Sequence, residues 1–223
     1  MKIAELFHSL QGEGMLVGVP SVFIRTSGCN LRCSWCDTPY TSWNPEGADW
    51  TLDQVLAEVK TYPTHHVVIT GGEPMIAPEI VPLTERLRLL GSHITMESAG
   101  TVFKPVACDL MSISPKLANS TPEGPWAAQH DRLRTNLETL AQLIARYEYQ
   151  LKFVIRSSAD LDEVQALLET LGADRARTIL MPEGTDRETL RERGRWLAEL
   201  CKAEGFRFSP RLHVELWGNQ RGV

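Results

Sequence analysis

Residues 66–74 read His66-Val67-Val68-Ile69-Thr70-Gly71-Gly72-Glu73-Pro74. An apolar run that stops at two glycines reads as a buried strand entering a tight turn. Its flanks say what kind of sheet it joins. Upstream, Thr51 and Gln54 form a capping box, and the helix they open runs to about Tyr62, before Pro63. Downstream, residues 79–90 have helical periodicity and Gly91 is a natural stop. A buried strand between helices belongs to a parallel sheet with right-handed crossovers. The alternation continues along the chain. Strands are expected at 21–25, 92–97, 109–113, 150–155, 178–181 and 206–214. Helices are expected at 131–147, from Asp160 with Glu163 to Gly172, and from Thr185 with Glu188 to Gly205. That is about six or seven mostly parallel strands, too few for eight repeats. The expected architecture is α/β, a partial (open) TIM-like barrel. No repeat or linker divides the chain, so residues 1–223 read as a single domain.

Composition narrows the function classes. The chain has 223 residues, 43% hydrophobic and 23% charged, which excludes a disordered or coiled-coil protein. Its net charge of -5 argues against broad nucleic-acid binding through a basic face. No segment has the apolar length of a membrane span, and Met1 to Phe7 does not start an export leader. A cytoplasmic protein with no membrane or nucleic-acid partner is expected.

Three of the five cysteines lie within eight residues, Cys29-Asn30-Leu31-Arg32-Cys33-Ser34-Trp35-Cys36. The loop follows a predicted strand and can wrap one metal centre. Structural zinc sites and iron–sulfur clusters both usually take four protein ligands. Here the remaining cysteines, Cys108 and Cys201, are distant in sequence and read as buried, inert thiols. Three ligands point to a cluster with one open iron. A zinc loop completed by a distant residue remains the alternative.

The C-x-x-x-C-x-x-C spacing resembles the cluster loop of the radical S-adenosylmethionine (SAM) superfamily. The turn Gly71-Gly72-Glu73-Pro74 is similar to the superfamily's SAM-binding motif. The resemblance implies a [4Fe-4S] cluster on Cys29, Cys33 and Cys36. It also implies SAM on the fourth iron, cleaved reductively to a 5'-deoxyadenosyl radical. Other polar groups follow predicted strands: Glu97-Ser98, Ser114-Pro115-Lys116 and Met181-Pro182-Glu183-Gly184. In parallel α/β barrels that is the active-site rim.

More segments narrow the family. Leu10-Gln11-Gly12-Glu13-Gly14 offers an amide and a carboxylate among glycines. Arg25 ends a predicted strand and can grip a carboxylate with two parallel bonds. With Phe23-Ile24-Arg25, Cys36-Asp37-Thr38, Ile113-Ser114-Pro115-Lys116 and Leu212-His213-Val214, the chain resembles the 7-carboxy-7-deazaguanine synthase family along nearly its whole length. That resemblance implies a lyase converting 6-carboxy-5,6,7,8-tetrahydropterin to 7-carboxy-7-deazaguanine with loss of ammonia, in queuosine and 7-deazapurine biosynthesis. It implies substrate contacts at Leu10, Gln11, Gly12, Glu13, Arg25, Thr70 and His213. SAM contacts are implied at Gly72, Glu73, Ser114, Pro115, Lys116 and Met181, and a Mg²⁺ ligand at Thr38. A homodimer and an electron donor such as flavodoxin or ferredoxin are implied as well. His213 is expected on the last strand. Two rivals share the cysteine loop: an activase that makes a glycyl radical on a partner protein, and a non-catalytic metal-binding module.

Overall fold

The computed structural model describes residues 1–223. Nine strands form one sheet: β1 (Lys2–Leu10), β2 (Pro20–Thr26), β3 (Ala48–Asp49), β4 (His66–Gly71), β5 (His93–Ser98), β6 (Leu110–Ile113), β7 (Tyr149–Ile155), β8 (Thr178–Pro182) and β9 (Arg207–Phe208). Their order is β3-β1-β2-β4-β5-β6-β7-β8-β9. From β2 to β9 every pairing is parallel, which matches the expected series. The sheet stays open, because β3 and β9 end it at opposite edges.

Eight helices accompany it: α1 (Pro39–Ser42), α2 (Leu52–Val59), α3 (Ile80–Leu89), α4 (Ala127–Arg134), α5 (Leu137–Arg146), α6 (Asp160–Leu171), α7 (Arg187–Glu204) and α8 (Leu212–Trp217). The α2 capping box forms as read: Thr51 Oγ1 accepts from Gln54 N–H, and Gln54 Oε1 accepts from Thr51 N–H. Gly172 and Gly205 close α6 and α7 in the left-handed conformation. No helix is long and apolar enough to cross a membrane.

Strand alternation separates core from cavity. Along β7, Leu151, Phe153 and Ile155 enter a cluster of 31 buried apolar residues. The intervening Lys152 and Val154 line a cavity on the other face, as period two requires. Each large apolar side chain in that core stabilises the fold by roughly 1.5–3 kcal/mol relative to exposure. The same face is kept across the sheet by register. Arg25 pairs with Thr70, Glu97 with Ser112, and Ser112 with Gln150. A polar row therefore crosses the inside of the sheet.

One strand was not expected, and four expectations are corrected. The N-terminal segment forms β1, antiparallel to β2, although its alternation is weak. The expected strand 206–214 shortens to β9, and His213 sits on α8 instead. Pro210 cannot donate to a ladder, and the chain turns there into a helix. The expected helix 131–147 breaks at Thr135, where Asn136 caps α5 by accepting from Thr139 N–H. Asp160 does not cap α6; its carboxylate accepts from Arg156 and Ser157 N–H and Asn119 Nδ2–H. The cap of α7 is Asp186 rather than Thr185, because its carboxylate reaches Thr189 N–H.

Candidate active site

A cavity of about 430 Å³ opens where the parallel strands end. β2 supplies Arg25, β4 Thr70 and Gly71, β5 Glu97 and Ser98, β7 Lys152, and β8 Met181. Leu10 comes from the end of β1, loops add Gln11, Gly12, Glu13, Thr38, Gly72, Ser114 and Lys116, and α8 adds His213. The structure brings nearly all of the expected substrate and SAM residues to one wall or another of this cavity.

The floor is a hydrogen-bonded set. Thr70 Oγ1 donates to Glu97 Oε2 at 3.0 Å, and Gln11 Nε2 donates to Glu97 Oε1 at 3.2 Å. Gln11 Oε1 accepts from Glu13 N–H at 3.2 Å. His213 lies so close to Gly12 that a Cβ there would sit 2.1 Å from Nδ1, so only glycine fits. Arg25 Nε donates to Glu5 Oε2 at 2.8 Å, and Tyr40 Oη donates to the same oxygen at 2.6 Å. The fork of Arg25 is thus aimed from one side.

Beside the floor lies a charged knot. Lys152 Nζ stands 2.5 Å from Glu13 Oε2 and 3.6 Å from Glu97 Oε1. Arg211 Nε donates to Glu13 Oε1 at 3.0 Å, its Nη2 to Asp37 and its Nη1 to Gly184 O at 2.6 Å. Burial alone would raise the Glu13 carboxyl. Lys152, Arg211 and His213 outweigh it and hold Glu13 far below the usual carboxylate range. Asp37 is depressed in the same way, burial being overcome chiefly by Arg211. Burial would lower Lys152, and Glu13 and Glu97 reverse that to a raised pKa. His213 goes down, mainly through burial.

Lys152, Arg211 and Glu5 were missed from sequence. One signal for Lys152 was present: Gln150-Leu151-Lys152-Phe153 alternates polar with apolar inside a strand that parallel pairing would bury on both faces. Arg211 carries no local signal.

Two expected residues lie behind the wall. Pro115 is not part of the lining. Glu73 is fully buried. Its Oε1 accepts from Met75 N–H at 3.0 Å and Ser98 Oγ–H at 2.9 Å, and its Oε2 from Ala99 N–H at 2.8 Å. Burial pushes its pKa up against those bonds. Through these bonds the Glu73 carboxylate ties the β4 turn to the end of β5.

The cysteine loop suits a cluster. Cys33 packs with Leu31 and Ala99, and Cys29, Cys36 and Leu133 pack against that group. No three His, Cys, Asp or Glu side chains converge at the spacing of a single ion. Burial pushes the Cys29 thiol up to about 12 and the Cys33 thiol up to about 11, Lys116 opposing in the latter case. Thiolates here need a cationic centre to offset burial. A Cβ on Gly72 would lie 2.2 Å from Gly28 O and 2.7 Å from Cys29 Cβ. The two motif loops touch through that glycine. Thr38 precedes α1 without capping it and lines the cavity; its hydroxyl donates to Asp37 Oδ1 and accepts from Thr41 Oγ1, both at 3.4 Å.

Comparison with known proteins agrees with this arrangement. Residues 23–170 match the model of the radical SAM superfamily. The 7-carboxy-7-deazaguanine synthase of Halobacterium salinarum is 47% identical, over 98% of this chain and 91% of that protein. The Escherichia coli enzyme of the same name is 31% identical, over 96% and 97%. The crystal structure of QueE from Escherichia coli superposes with a TM-score of 0.70 at 29% identity, covering 95% of this chain and 94% of that one. Streptococcus suis SuiB shares the fold alone, with a TM-score of 0.57 at 14% identity, over 84% of this chain and 47% of that one. The superfamily implies a 4Fe-4S cluster and SAM. A cysteine loop fit for such a cluster, opening onto a polar cavity in a chain that matches these relatives end to end, places the protein in the 7-carboxy-7-deazaguanine synthase family of radical SAM enzymes, whose reaction is of the lyase type.

Proposed function

We propose that this enzyme carries out the magnesium-dependent ring contraction of 6-carboxy-5,6,7,8-tetrahydropterin to 7-carboxy-7-deazaguanine, with loss of ammonia, for queuosine or other 7-deazapurines. The observation that carries the reading is the cavity floor. It sets a carboxylate, an amide and a hydroxyl (Glu97, Gln11, Thr70) beside a cationic fork, Arg25. A pterin carries an amidine-like donor edge, and this substrate adds a carboxylate; the floor matches the first and Arg25 the second.

The chain's own groups then have definite work. Arg25 keeps its terminal nitrogens for a substrate carboxylate while Glu5 holds Nε. Leu10, Gly12 and His213 border the ring, and Glu13, fixed as a carboxylate by Lys152 and Arg211, presents negative charge without changing protonation. Cys29, Cys33 and Cys36 would hold the cluster. Gly72, Ser114, Lys116 and Met181 would line the SAM site from the cavity, with Glu73 and Pro115 supporting from behind. When bound, the cluster and SAM supply the radical that starts the chemistry. Thr38 would offer one oxygen to Mg²⁺, with substrate and water oxygens completing a hard-ligand set.

Residues 1–223 acting as one domain, a homodimeric assembly, a cytoplasmic setting and a flavodoxin or ferredoxin donor belong to the same proposal. The unbroken nine-stranded sheet supports the single domain, and the other three come with the family likeness alone. The test is anaerobic turnover of reconstituted protein with SAM, Mg²⁺, a reductant and the carboxytetrahydropterin, read by mass spectrometry. 7-Carboxy-7-deazaguanine is expected. 5'-Deoxyadenosine without it would overturn the substrate and keep the radical chemistry.

A further inference from the structure

Between β6 and α5 the chain makes two short 3-10 turns and α4. A helix lying on a core buries an apolar stripe. α4 does not: the one residue it buries is His130, 1% exposed. Trp126, His130 and Leu133 share one face by spacing, and all three meet the cysteine loop. The Arg32 guanidinium lies over the Trp126 ring, 4.9 Å from its centroid. Leu133 packs on the group formed by Leu31, Cys33 and Ala99. Arg32 N–H donates to His130 Nδ1 at 3.1 Å. His130 Nε2 stands 2.9 Å from Ser120 Oγ, which donates to Leu117 O at 2.6 Å. Ser120 O accepts from Ser34 N–H at 2.9 Å.

This chain of bonds fixes the tautomer. A backbone N–H can only donate, so Nδ1 carries the lone pair and Nε2 the proton. That proton goes to Ser120 Oγ, whose own goes to Leu117 O. A neutral ring thus satisfies every member. The two N–H groups flanking Cys33, those of Arg32 and Ser34, are drawn onto this segment and away from the sulfurs. Leu31 N–H instead points to Cys29 Sγ, at 3.4 Å.

We infer that His130 is a positioning residue for the cluster loop, selecting which of its N–H groups face the thiolates. The inference rests on reading Cys29, Cys33 and Cys36 as the cluster ligands. Hydrogen bonds to sulfur favour the reduced cluster and set its potential, and supporting partners hold such ligands in place. Helix α4 is then a buttress for the loop rather than a piece of core.

His130→Asn and His130→Gln separate the two ring nitrogens. Asn keeps an acceptor near the Nδ1 position for Arg32 N–H. Gln keeps a donor near Nε2 for Ser120 and loses that acceptor. Wild type and both variants are reconstituted anaerobically, without SAM or substrate. The readouts are iron per chain, the electron paramagnetic resonance spectrum, the midpoint potential and the rate of bleaching in air. His130→Gln is expected to bleach roughly tenfold faster, the size set by a buried N–H losing its acceptor, with a more positive potential, because the freed Arg32 N–H can turn to a sulfur. His130→Asn is expected to stay within about threefold of wild type, since that bond is kept. A His130→Gln protein matching wild type in potential and bleaching overturns the inference. So do two variants that behave alike, because the Arg32 bond would then not be the one that matters. Wild type that takes up no four-iron cluster would overturn the cysteine reading itself, and the inference with it.

Discussion

One wall of the site carries the cysteine loop and Gly72; another is the charged knot of Glu13, Lys152 and Arg211, which meets that loop through Asp37. The first holds thiols that burial keeps neutral, and it closes around backbone and a glycine contact. The second is dense in charge, yet two carboxylates face two cations and each is depressed or raised by the other. A wall that must receive a cationic centre leaves its ligands uncompensated. A wall that must present fixed dipoles to a polar substrate compensates itself beforehand, so little reorganisation is left for the reaction. The two walls should therefore fail differently when broken.

The largest effect is expected from Cys33→Ala. It removes one of three ligands, and SAM cleavage should fall by at least about 10³-fold, as for loss of a catalytic electrostatic group. The apo fold should survive, because a small buried side chain is trimmed by one atom. Iron content and 5'-deoxyadenosine yield measure it; retained turnover would remove Cys33 from the cluster. Next is Arg211→Met, which leaves Glu13 facing Lys152 alone and Asp37 unpaired. Loss of one partner from a buried pair costs about 3 kcal/mol, with Asp37 partly solvated and so contributing less. Urea unfolding of the apo protein reads this. An unchanged midpoint would show that the charged wall is not holding the fold.

The same wall predicts a pH response. Glu13 has a folded pKa below its unfolded value of about 4.3. Its stabilisation is therefore present above that value and lost as pH falls toward the folded pKa. Wild-type stability should drop as the medium is acidified from about pH 5 to pH 3. Glu13→Gln should flatten that limb in acid-unfolding curves, and an equally steep limb in the variant would exclude Glu13 as its source. Arg25→Ala should raise the substrate KM about tenfold, the worth of one charge-assisted contact, while iron content stays at the wild-type level. Equal kinetics would make the Glu5–Arg25 pair structural. The smallest effect is expected from Thr38→Val: a few-fold higher Mg²⁺ requirement, since Mg²⁺ keeps most of its other oxygens. A magnesium titration that does not move would take Thr38 out of the metal site.

Most of the parallel series was legible because its signals are local. The apolar run 67–69, the Thr51 capping box and the stops at Gly172 and Gly205 each act within a few residues. β1 was not legible, since its residues are half-buried and alternate weakly, and pairing with β2 makes it a strand. The split between α4 and α5 was hidden for a related reason. His130 interrupts the apolar pattern to reach Arg32, and that need lies 98 residues away.

The sequence by itself determined the cysteine spacing, the glycine turn and the order of strands and helices, because each is settled by residues near in the chain. Only the tertiary structure decided that Lys152 and Arg211, 139 and 198 residues from Glu13, close on its carboxylate. It also decided that the Glu73 carboxylate ties to Ala99 and that a histidine outside the motif holds the cysteine loop. Long-range charge pairs and buried hydrogen bonds depend on which side of a strand or helix faces inward once the sheet has closed around its cavity. That orientation is a property of the packed sheet and is written in no single segment.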